Sequence, residues 1–378
     1  MDTGALASLL APLAPQLVLA GGALAAIVVS LFTAPRPGEW KAFTVLTLLA
    51  ALVVAARQWD TAATLVAGTT LGTLAAPLVS PDALGAAWQL LLYAGALPLA
   101  LLARPDDEVP VVLLLGSVCG MGLLAVAGNL LMLFVALELA SLPAYLLVWK
   151  WSRGERGNEA AVKYFFVGAA AGALFLMGMA LRYAAAGEGL ALPGSRALLG
   201  EVAVALMGAA ALFKIGAVPL HFWIPDVYEA SRPELAGFFS SAMKAAALLL
   251  LLRVAGLEPG SAFAAWLPAI GAVTTLVGAL LAWRQRDLQR LLAYSSISHA
   301  GVLVLGAGVW ALDGGSPAAA RALFFYLAAY LFMSNGAFAF LATSGLVRRE
   351  ELAGYAAARP APAAALAAIL LSLGGIPP

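Results

Sequence analysis

The sequence predicts an all-α protein that crosses a membrane many times. Of its 378 residues, 63% are hydrophobic and only 11% are charged. Soluble domains are roughly 45–50% apolar and about 25% charged, so this composition is typical of membrane proteins. Apolar windows of about 20 residues, the length that a helix needs to cross a bilayer, recur along the whole chain. We expect about 11 complete spans plus half of a twelfth.

The order of these windows divides the chain into three parts. About three spans lie in 1–108, a first set of five lies in 109–256, and 262–378 holds a second, incomplete set. The stretch 62–80 is rich in Gly, Thr and Pro and is interpreted as a loop or re-entrant piece; a span there would invert everything after it. The predicted spans are 14–33, 41–57, 82–103, 109–127, 129–149, 160–184, 197–219, 234–256, 262–284, 291–311 and 321–346, with a twelfth from 361.

Basic residues are concentrated in every second loop. With the N-terminus outside, the inner loops hold 13 Lys and Arg residues and the outer loops hold five, Arg253 among them. Because cytoplasmic loops are enriched in Lys and Arg, this bias predicts a multi-pass protein with its N-terminus outside. Residues 1–4 lack the basic region of a cleaved signal peptide, so the first apolar stretch is interpreted as a retained span.

Composition also limits the chemistry. The net charge of +1 argues against a nucleic-acid partner. Cys119 is the single cysteine, and one cysteine cannot form an intrachain disulfide or hold an iron–sulfur cluster. His221 and His299 are too few for a usual haem or metal site. We therefore expect no redox cofactor and no metal on this chain.

Glu138 lies in the middle of an apolar span. A charge at the bilayer centre costs about 2.5–3.5 kcal/mol on insertion scales, so such a residue faces the protein interior. There it pairs with a cation or is held protonated. The simpler interpretation is a structural ion pair or a neutral acid that fixes the packing. An intramembrane carboxylate is nevertheless a functional candidate by default, and we predict that Glu138 takes part in proton transfer.

Lys214 precedes a predicted break in an apolar helix. Gly216 and Pro219 follow within five residues, and a proline removes a backbone donor and clashes with the preceding turn. Broken helices at membrane depth are tolerated where they line polar cavities. Burial disfavours the charged form of an amine, so a lysine there can exchange a proton with a carboxylate. The alternative is a lysine that reaches to the interface. His221 is expected to gate or cap the break.

Three further polar residues lie within predicted spans. Lys244 lies at least one turn inside the eighth span, and two buried lysines on neighbouring helices repel each other, as a proton relay requires. Lys163 lies nearer a helix start and could instead pair at the surface with Glu159, four residues earlier. His299 lies among hydroxyl residues, and its titration near neutrality suits a relay. A hydrogen bond between helices is the structural alternative for His299.

A short internal repeat relates the two halves of the chain. Residues 214–220 recur as 372–378, which lie 158 residues later, with glycine and proline in register. Pro377 is thus predicted to break a second helix. The same offset leads from Glu138 to Ser296. Units of five spans with opposite orientation form the inverted repeats of many transporters, and we predict that arrangement here.

The polar motifs together resemble a known family. Residues 213–229, 244–247 and 291–301 are similar to subunit N of bacterial NADH–quinone oxidoreductase, respiratory complex I. Subunit N is one of three antiporter-like subunits related to multisubunit Na⁺/H⁺ antiporters. Residues 225–228 and 159–165 are closer to subunit N than to its paralogues, and the resemblance covers nearly the whole chain. It implies an antiporter-like bundle with inverted repeats and broken helices.

The resemblance implies a role for several residues. Glu138 matches the essential glutamate of the fifth span, Lys214 the central lysine of the broken seventh, Lys244 the lysine of the eighth and Lys163 one in the sixth. By this resemblance, quinone reduction elsewhere in the complex shifts the interaction between Glu138 and the lysines and drives protons along a hydrated axis. NADH, FMN, iron–sulfur clusters and quinone are expected on other subunits.

The resemblance also implies partners and a location. The expected partners are the neighbouring antiporter-like subunit, the small K- and J-type subunits, lipid and protons, in a bacterial inner membrane. The chain departs from the family at 231–234, where a Pro-Thr-Pro run is usual. The family has fourteen spans and a lysine beyond its second helix break, whereas this chain ends at Pro378. We therefore expect a fragment that lacks the exit half of the path.

Two other functions stay open from the sequence. The chain could be a subunit of a multisubunit cation/proton antiporter, which has no redox partner. It could also be a structural membrane scaffold in which the buried charges are static pairs.

Overall fold

In the computed structural model, the described residues are 10–33, 35–62, 77–152, 154–186 and 196–375. Within these ranges the regular structure is helical, and strand-like pairing is limited to isolated bridges. Eleven helical segments are long and apolar enough to cross a membrane, which confirms the predicted fold class. The helices are α1 (Ala14–Phe32), α2 (Pro37–Ala62), α3 (Ala83–Leu102), α4 (Val109–Val126), α5 (Leu130–Trp151), α6 (Gly154–Ala185), α7 (Arg196–Ile215), α8 (Trp223–Ala230), α9 (Pro233–Phe238), α10 (Lys244–Ala255), α11 (Ala262–Trp283), α12 (Leu288–Leu312), α13 (Pro317–Ser344), α14 (Tyr355–Ala358) and α15 (Pro360–Leu373).

The predicted twelfth span corresponds to α15, a shorter apolar helix. Two predictions fall wholly or largely outside the described residues. Most of the stretch 62–80 lies there, so its interpretation as a loop stays a prediction. Pro377 lies there as well, so the second helix break stays a prediction, although α15 ends at Leu373.

Helix boundaries recur at the offset of the internal repeat. α5 begins after Asn129 and α12 after Asp287, and each cap side chain accepts a hydrogen bond from the backbone three residues on. Such caps satisfy a donor that has no partner inside the helix. α7 and α15 end at Ile215 and Leu373. All of these pairs are 158 residues apart, which agrees with two related units.

One long span lies at the centre of the bundle, and the sequence predicts it as a single helix. It runs over Pro233–Ala255 as α9, a π-helix (Phe239–Met243) and α10, and nearly every residue in it is buried. α3, α7, α12 and α13 pack around it. A π-helix turn inside an α-helix is rare and occurs frequently at functional sites. Lys244 is the first residue after this turn.

Arg253 lies inside this central span, and its assignment to an outer loop is wrong. Its side chain is only 2% exposed and is paired with Asp82, the N-cap of α3. An arginine so deep needs a partner because an isolated buried charge is strongly unfavourable. Counting loop charges could not detect this pair, since the two residues lie far apart in the sequence.

Candidate functional site

One face of α5 carries the polar side chains of the first half. Ser141 follows Glu138 by three residues and Tyr145 follows it by seven, which places all three on one side of a helix. Glu138 is half-buried, and among the described residues its Oε1 atom has no hydrogen-bond partner. On the neighbouring α6, a Cβ atom at Gly172 would lie 2.6 Å from this oxygen. Gly172 therefore leaves room for the Glu138 carboxyl group.

Lys214 reaches this face from the last turn of α7. Its Nζ atom donates to Ser141 Oγ at 2.7 Å and to Tyr145 Oη at 2.5 Å. Nζ also lies 4.9 Å from the centre of the Tyr145 ring, within the range of a cation–π interaction. Lys214 is 8% exposed. Its amine is thus held by two hydroxyl groups that follow Glu138 by one and two turns of α5.

The helix break after Lys214 is confirmed, and the backbone groups that it frees find partners. Gly216 has a φ of +83°, and a Cβ atom there would lie 1.9 Å from Ile224, so the position requires glycine. The indole nitrogen of Trp223 donates to the Phe213 carbonyl at 3.1 Å. The peptide bond before Pro219 is cis. Side chains thus complete the hydrogen bonding of a broken helix, as membrane depth demands.

His221 lies between α7 and α8 and is partly buried. Among the described residues its Nδ1 has no hydrogen-bond partner. The Val218 amide donates to Thr274 Oγ1 at 3.0 Å, which fixes the break against α11. The capping and gating roles of His221 both stay predictions.

Lys244 binds the second half of the molecule. Its Nζ atom donates to the carbonyl and, at 2.5 Å, to the hydroxyl of Ser296 on α12. Ser240 Oγ donates to Ser296 Oγ at 3.1 Å and lies 2.5 Å from Tyr330 Oη. Ser334 Oγ donates to Ser240 Oγ at 2.7 Å. Lys244, only 2% exposed, is therefore the end of a chain of four hydroxyl groups.

His299 lies one turn beyond Ser296 on α12. Its Nδ1 is 2.7 Å from Tyr326 Oη, and its ring centre is 4.7 Å from that of Tyr330. His299 thus lies against Tyr330, a member of the hydroxyl chain.

Both buried lysines line a small cavity. Its volume is about 20 Å³, and Lys214, Lys244, Ser141 and Tyr228 are among its lining residues. A cavity of roughly 10–15 Å³ is enough for the centre of one water molecule if polar partners are present. The cavity therefore has room for one water molecule.

Lys163 lies elsewhere, at a wide polar opening. This opening, which we call the vestibule, has a volume of about 950 Å³. Lys163 is half-exposed and pairs with Glu159 at 2.6 Å and with Asp226 at 3.5 Å. Arg290 pairs with Asp226 at 3.2 Å and with Glu229 at 2.6 Å. The pair with Glu159 was one of the two sequence interpretations. The vestibule is on the side where α3 and α5 end and α6 and α12 begin.

The comparisons with known proteins decide the family. The family profile described as "NADH:quinone oxidoreductase/Mrp antiporter, TM" matches residues 127–378. NADH-quinone oxidoreductase subunit N of Sphingopyxis alaskensis is 34% identical, over 96% of this chain and 78% of its own length. The chain belongs to the NADH-quinone oxidoreductase subunit N family. Its Sorangium cellulosum member, subunit N 1, is 40% identical over 78% of this chain and 62% of its own length.

Solved structures agree with membership of the subunit N family. A chain of respiratory complex I from Thermus thermophilus superimposes with a TM-score of 0.79 and 34% identity, covering 96% of this chain and 79% of that one. A chain of the Mrp complex from Dietzia sp. has a TM-score of 0.81 at 24% identity, over 97% of this chain and 71% of that one, and shows the shared antiporter fold. The resemblance seen in the sequence is confirmed.

Several residues that contact Lys214, or belong to the hydroxyl chain of Lys244, were not predicted from the sequence. Ser141 and Tyr145 could have been found, because they share a helix face with Glu138. Ser240 lies one turn before Lys244, which is a weaker signal because the π-helix changes the register. The contacts that Tyr330 and Ser334 make across helices leave no sequence signal. Among the described residues, no group of three or more His, Cys, Asp and Glu side chains could hold a metal ion.

Proposed function

We propose that this chain carries protons as a membrane subunit of NADH-quinone oxidoreductase, through a relay of Glu138, Lys214 and Lys244 continued by His299. The observation that carries the proposal is the pair of buried lysines that line one cavity with room for a water molecule. Lys163 belongs to the entrance of the path, at the vestibule. A static scaffold would need no such paired sites, and membership of the family supports proton translocation.

The first step is a proton exchange within the first half. When Glu138 is a carboxylate, its negative charge stabilises the ammonium form of Lys214. When Glu138 takes up a proton, that stabilisation is lost and Lys214 releases its own proton. Ser141 and Tyr145 remain as acceptors of hydrogen bonds from the amine and hold it in place.

The second step moves the proton between the lysines. The ammonium of Lys214 gives a proton to the water in the cavity, which passes one of its protons to the neutral amine of Lys244. Two ammonium groups at the same cavity would repel each other, so protonation of one amine favours loss of the proton from the other. The Ser296 hydroxyl then accepts from Lys244 and leads towards Tyr330 and His299.

The wider setting of the subunit follows from the same proposal. Quinone reduction in other subunits supplies the energy, by changing the electric field at Glu138. NADH, FMN, iron–sulfur clusters and quinone bind to those other subunits, and this chain holds no redox-active site. Its partners are the neighbouring antiporter-like subunit and the small K- and J-type subunits in a bacterial inner membrane, with the N-terminus outside and the vestibule facing the cytoplasm.

The proposal is tested with Glu138→Ala and Lys214→Ala in the complete complex in membrane vesicles. Assembly and quinone reduction should persist while NADH-driven proton pumping is lost. Glu350→Gln and Lys41→Ala remove a carboxylate and an amine from positions away from the relay and serve as controls. Normal pumping in both relay variants would overturn the proposal.

A cation/proton antiporter subunit is the alternative that the fold allows, since the Mrp complex shares this architecture. The matches at 34–40% identity to subunit N favour the redox-coupled complex. Genomic neighbours distinguish the two. Genes for quinone-oxidoreductase subunits beside this one support the proposal, and genes for antiporter subunits alone would contradict it.

A further inference from the structure

The third span, α3, holds no member of the relay and lies outside the internal repeat. It nevertheless contacts the central span close to Lys244. The indole nitrogen of Trp88 on α3 donates to the Ala245 carbonyl at 3.0 Å, and Trp88 is completely buried. Ala245 is the residue next to Lys244. A side-chain donor on this carbonyl ties the backbone that carries the relay amine to a neighbouring helix.

A second contact joins α3 to the π-helix. The single hydroxyl proton of Ser241 is shared between the Gly237 carbonyl, 2.7 Å from Oγ, and the Gly95 carbonyl, 3.1 Å from Oγ. A Cβ atom at Gly95 would lie 3.3 Å from the Cα of Ala242 and 2.9 Å from the Leu331 side chain. The absence of a side chain at Gly95 thus lets α3 approach the π-helix closely. A π-helix disturbs the regular backbone hydrogen bonding, so contacts from outside can fix its geometry.

A third contact fixes the far end of α10. Arg253 is paired with Asp82, and both side chains are almost completely buried. Arg253 Nη2 also donates to the Ala125 carbonyl at 3.0 Å, and Asp82 caps α3 through the Gly85 amide at 2.6 Å. Buried ion pairs are poor devices for stability but can fix register. Arg253 lies nine residues after Lys244, which is about 13 Å along the helix axis.

We propose that α3 is a positioning element for Lys244, with Trp88 as the positioning residue nearest to the amine. The three contacts hold the π-helix and α10 at three positions along the helix axis. They therefore set the rotation of Lys244 about that axis and its position along the axis relative to Ser296. Between Lys244 and Arg253 the central span presents only Ala and Leu side chains, which pack without directional bonds. The polar contacts with α3 therefore add directional restraints to those that Ser240 makes with α12 and α13. This inference rests on the proposed role of Lys244 in proton transfer.

The test uses Trp88→Phe in the complete complex, which removes the N–H donor and keeps an aromatic ring. The measurement is the pH profile of NADH-driven proton pumping, since a contact that only stabilised the fold would not move it. We expect the complex to assemble and the midpoint of the profile to move by roughly half a pH unit, equivalent to an about threefold change in proton affinity. Trp40→Phe, at another buried tryptophan, should leave the midpoint unchanged.

Ser241→Ala provides a second variant if Trp88→Phe does not assemble. It removes the hydroxyl that contacts Gly95 with little change in volume, and it should move the same midpoint. Lys244→Ala distinguishes the two proposals. If Lys244→Ala stops pumping and the profiles of Trp88→Phe and Ser241→Ala match the native one, the positioning role of α3 is wrong. If Lys244→Ala pumps normally, the proposed relay itself is wrong.

Discussion

The two buried lysines are bound in similar ways but in different electrostatic surroundings. Lys214 donates to side chains of α5, and Lys244 donates to Ser296 of α12. Those two helices begin 158 residues apart, so each lysine binds the same helix of a different repeat. α5 carries Glu138 three residues before Ser141. α12 has no Asp or Glu anywhere in its length, and Ser296 occupies the position that matches Glu138.

Because of this difference, different groups affect the charge on each of the two lysines in the proposed relay. In the proposed relay, a carboxyl group on the same helix face can add or remove charge near Lys214, so the first site can respond to an external signal. The hydrogen bonds of Lys244 within the described residues go to a hydroxyl and a carbonyl, so the proposal makes Lys244 respond to the charge on Lys214. We therefore propose that directionality arises because one repeat has a carboxylate and the other has a hydroxyl at the matched position.

The largest expected effect comes from removing either amine. Lys214→Met and Lys244→Met should each lower NADH-driven proton uptake at least about tenfold, because a positioned proton-transfer group contributes about 10²–10⁴-fold. Uptake is measured in membrane vesicles and is normalised to the amount of assembled complex. A variant that keeps more than half of the native rate would show that its lysine is outside the path.

The next effect compares the hydrogen-bond partners of the two amines. Ser141→Ala combined with Tyr145→Phe removes both hydroxyl groups that Lys214 contacts, and we expect an about tenfold loss of pumping. Ser296→Ala leaves the Ser296 carbonyl as an acceptor for Lys244, so an about threefold loss is expected. Ser30→Ala, at an exposed hydroxyl, is the control. Equal losses at the two sites would contradict the described difference between them.

A smaller effect is expected from crowding Glu138. Gly172→Ala places a methyl group where it would lie 2.6 Å from Oε1, so the carboxyl group must move. Pumping should fall about threefold while assembly is maintained, because the interaction between Glu138 and Lys214 weakens with distance. Gly21→Ala, where nothing lies within 4 Å, is the matched control. Unchanged pumping in Gly172→Ala would mean that the position of the carboxyl group is unimportant.

The smallest effect is expected at the vestibule. Lys163→Ala breaks ion pairs that are half-exposed, and such pairs contribute little because solvent screens them. Proton uptake should change by about twofold or less, and the change should shrink in high salt because exposed charges are screened. Complete loss of pumping would instead place Lys163 inside the relay with Lys214 and Lys244.

The sequence predicted the spans and the buried charges because both depend on local composition. Glu138, Lys214 and Lys244 were identifiable since a charge in an apolar window is costly wherever the helix packs. The partners of these charges were not identifiable. The bond from Lys244 to Ser296 joins residues 52 positions apart, and the pair of Arg253 with Asp82 joins residues 171 apart. Only the packing of helices brings such residues together, and no periodicity of one helix encodes it.

The π-helix was likewise not predictable from the sequence. An expectation of regular α-helix over 234–256 agrees with the length of the span but gives the wrong side-chain register after Phe239. Helix propensity does not reveal such a turn, because contacts from α3 and α13 stabilise it. The break after Lys214 was predictable by contrast, because Gly216 and Pro219 act on the local backbone.

The proposed relay requires that Glu138 changes its protonation during turnover and thereby controls Lys214. Infrared difference spectroscopy of the complete complex, recorded between the resting state and NADH-driven turnover, reports carboxyl protonation directly. We expect a carboxyl band in the native complex that is missing in Glu138→Gln, with pumping lost in the same variant. An identical carboxyl region in the native and Glu138→Gln spectra would contradict the proposed relay.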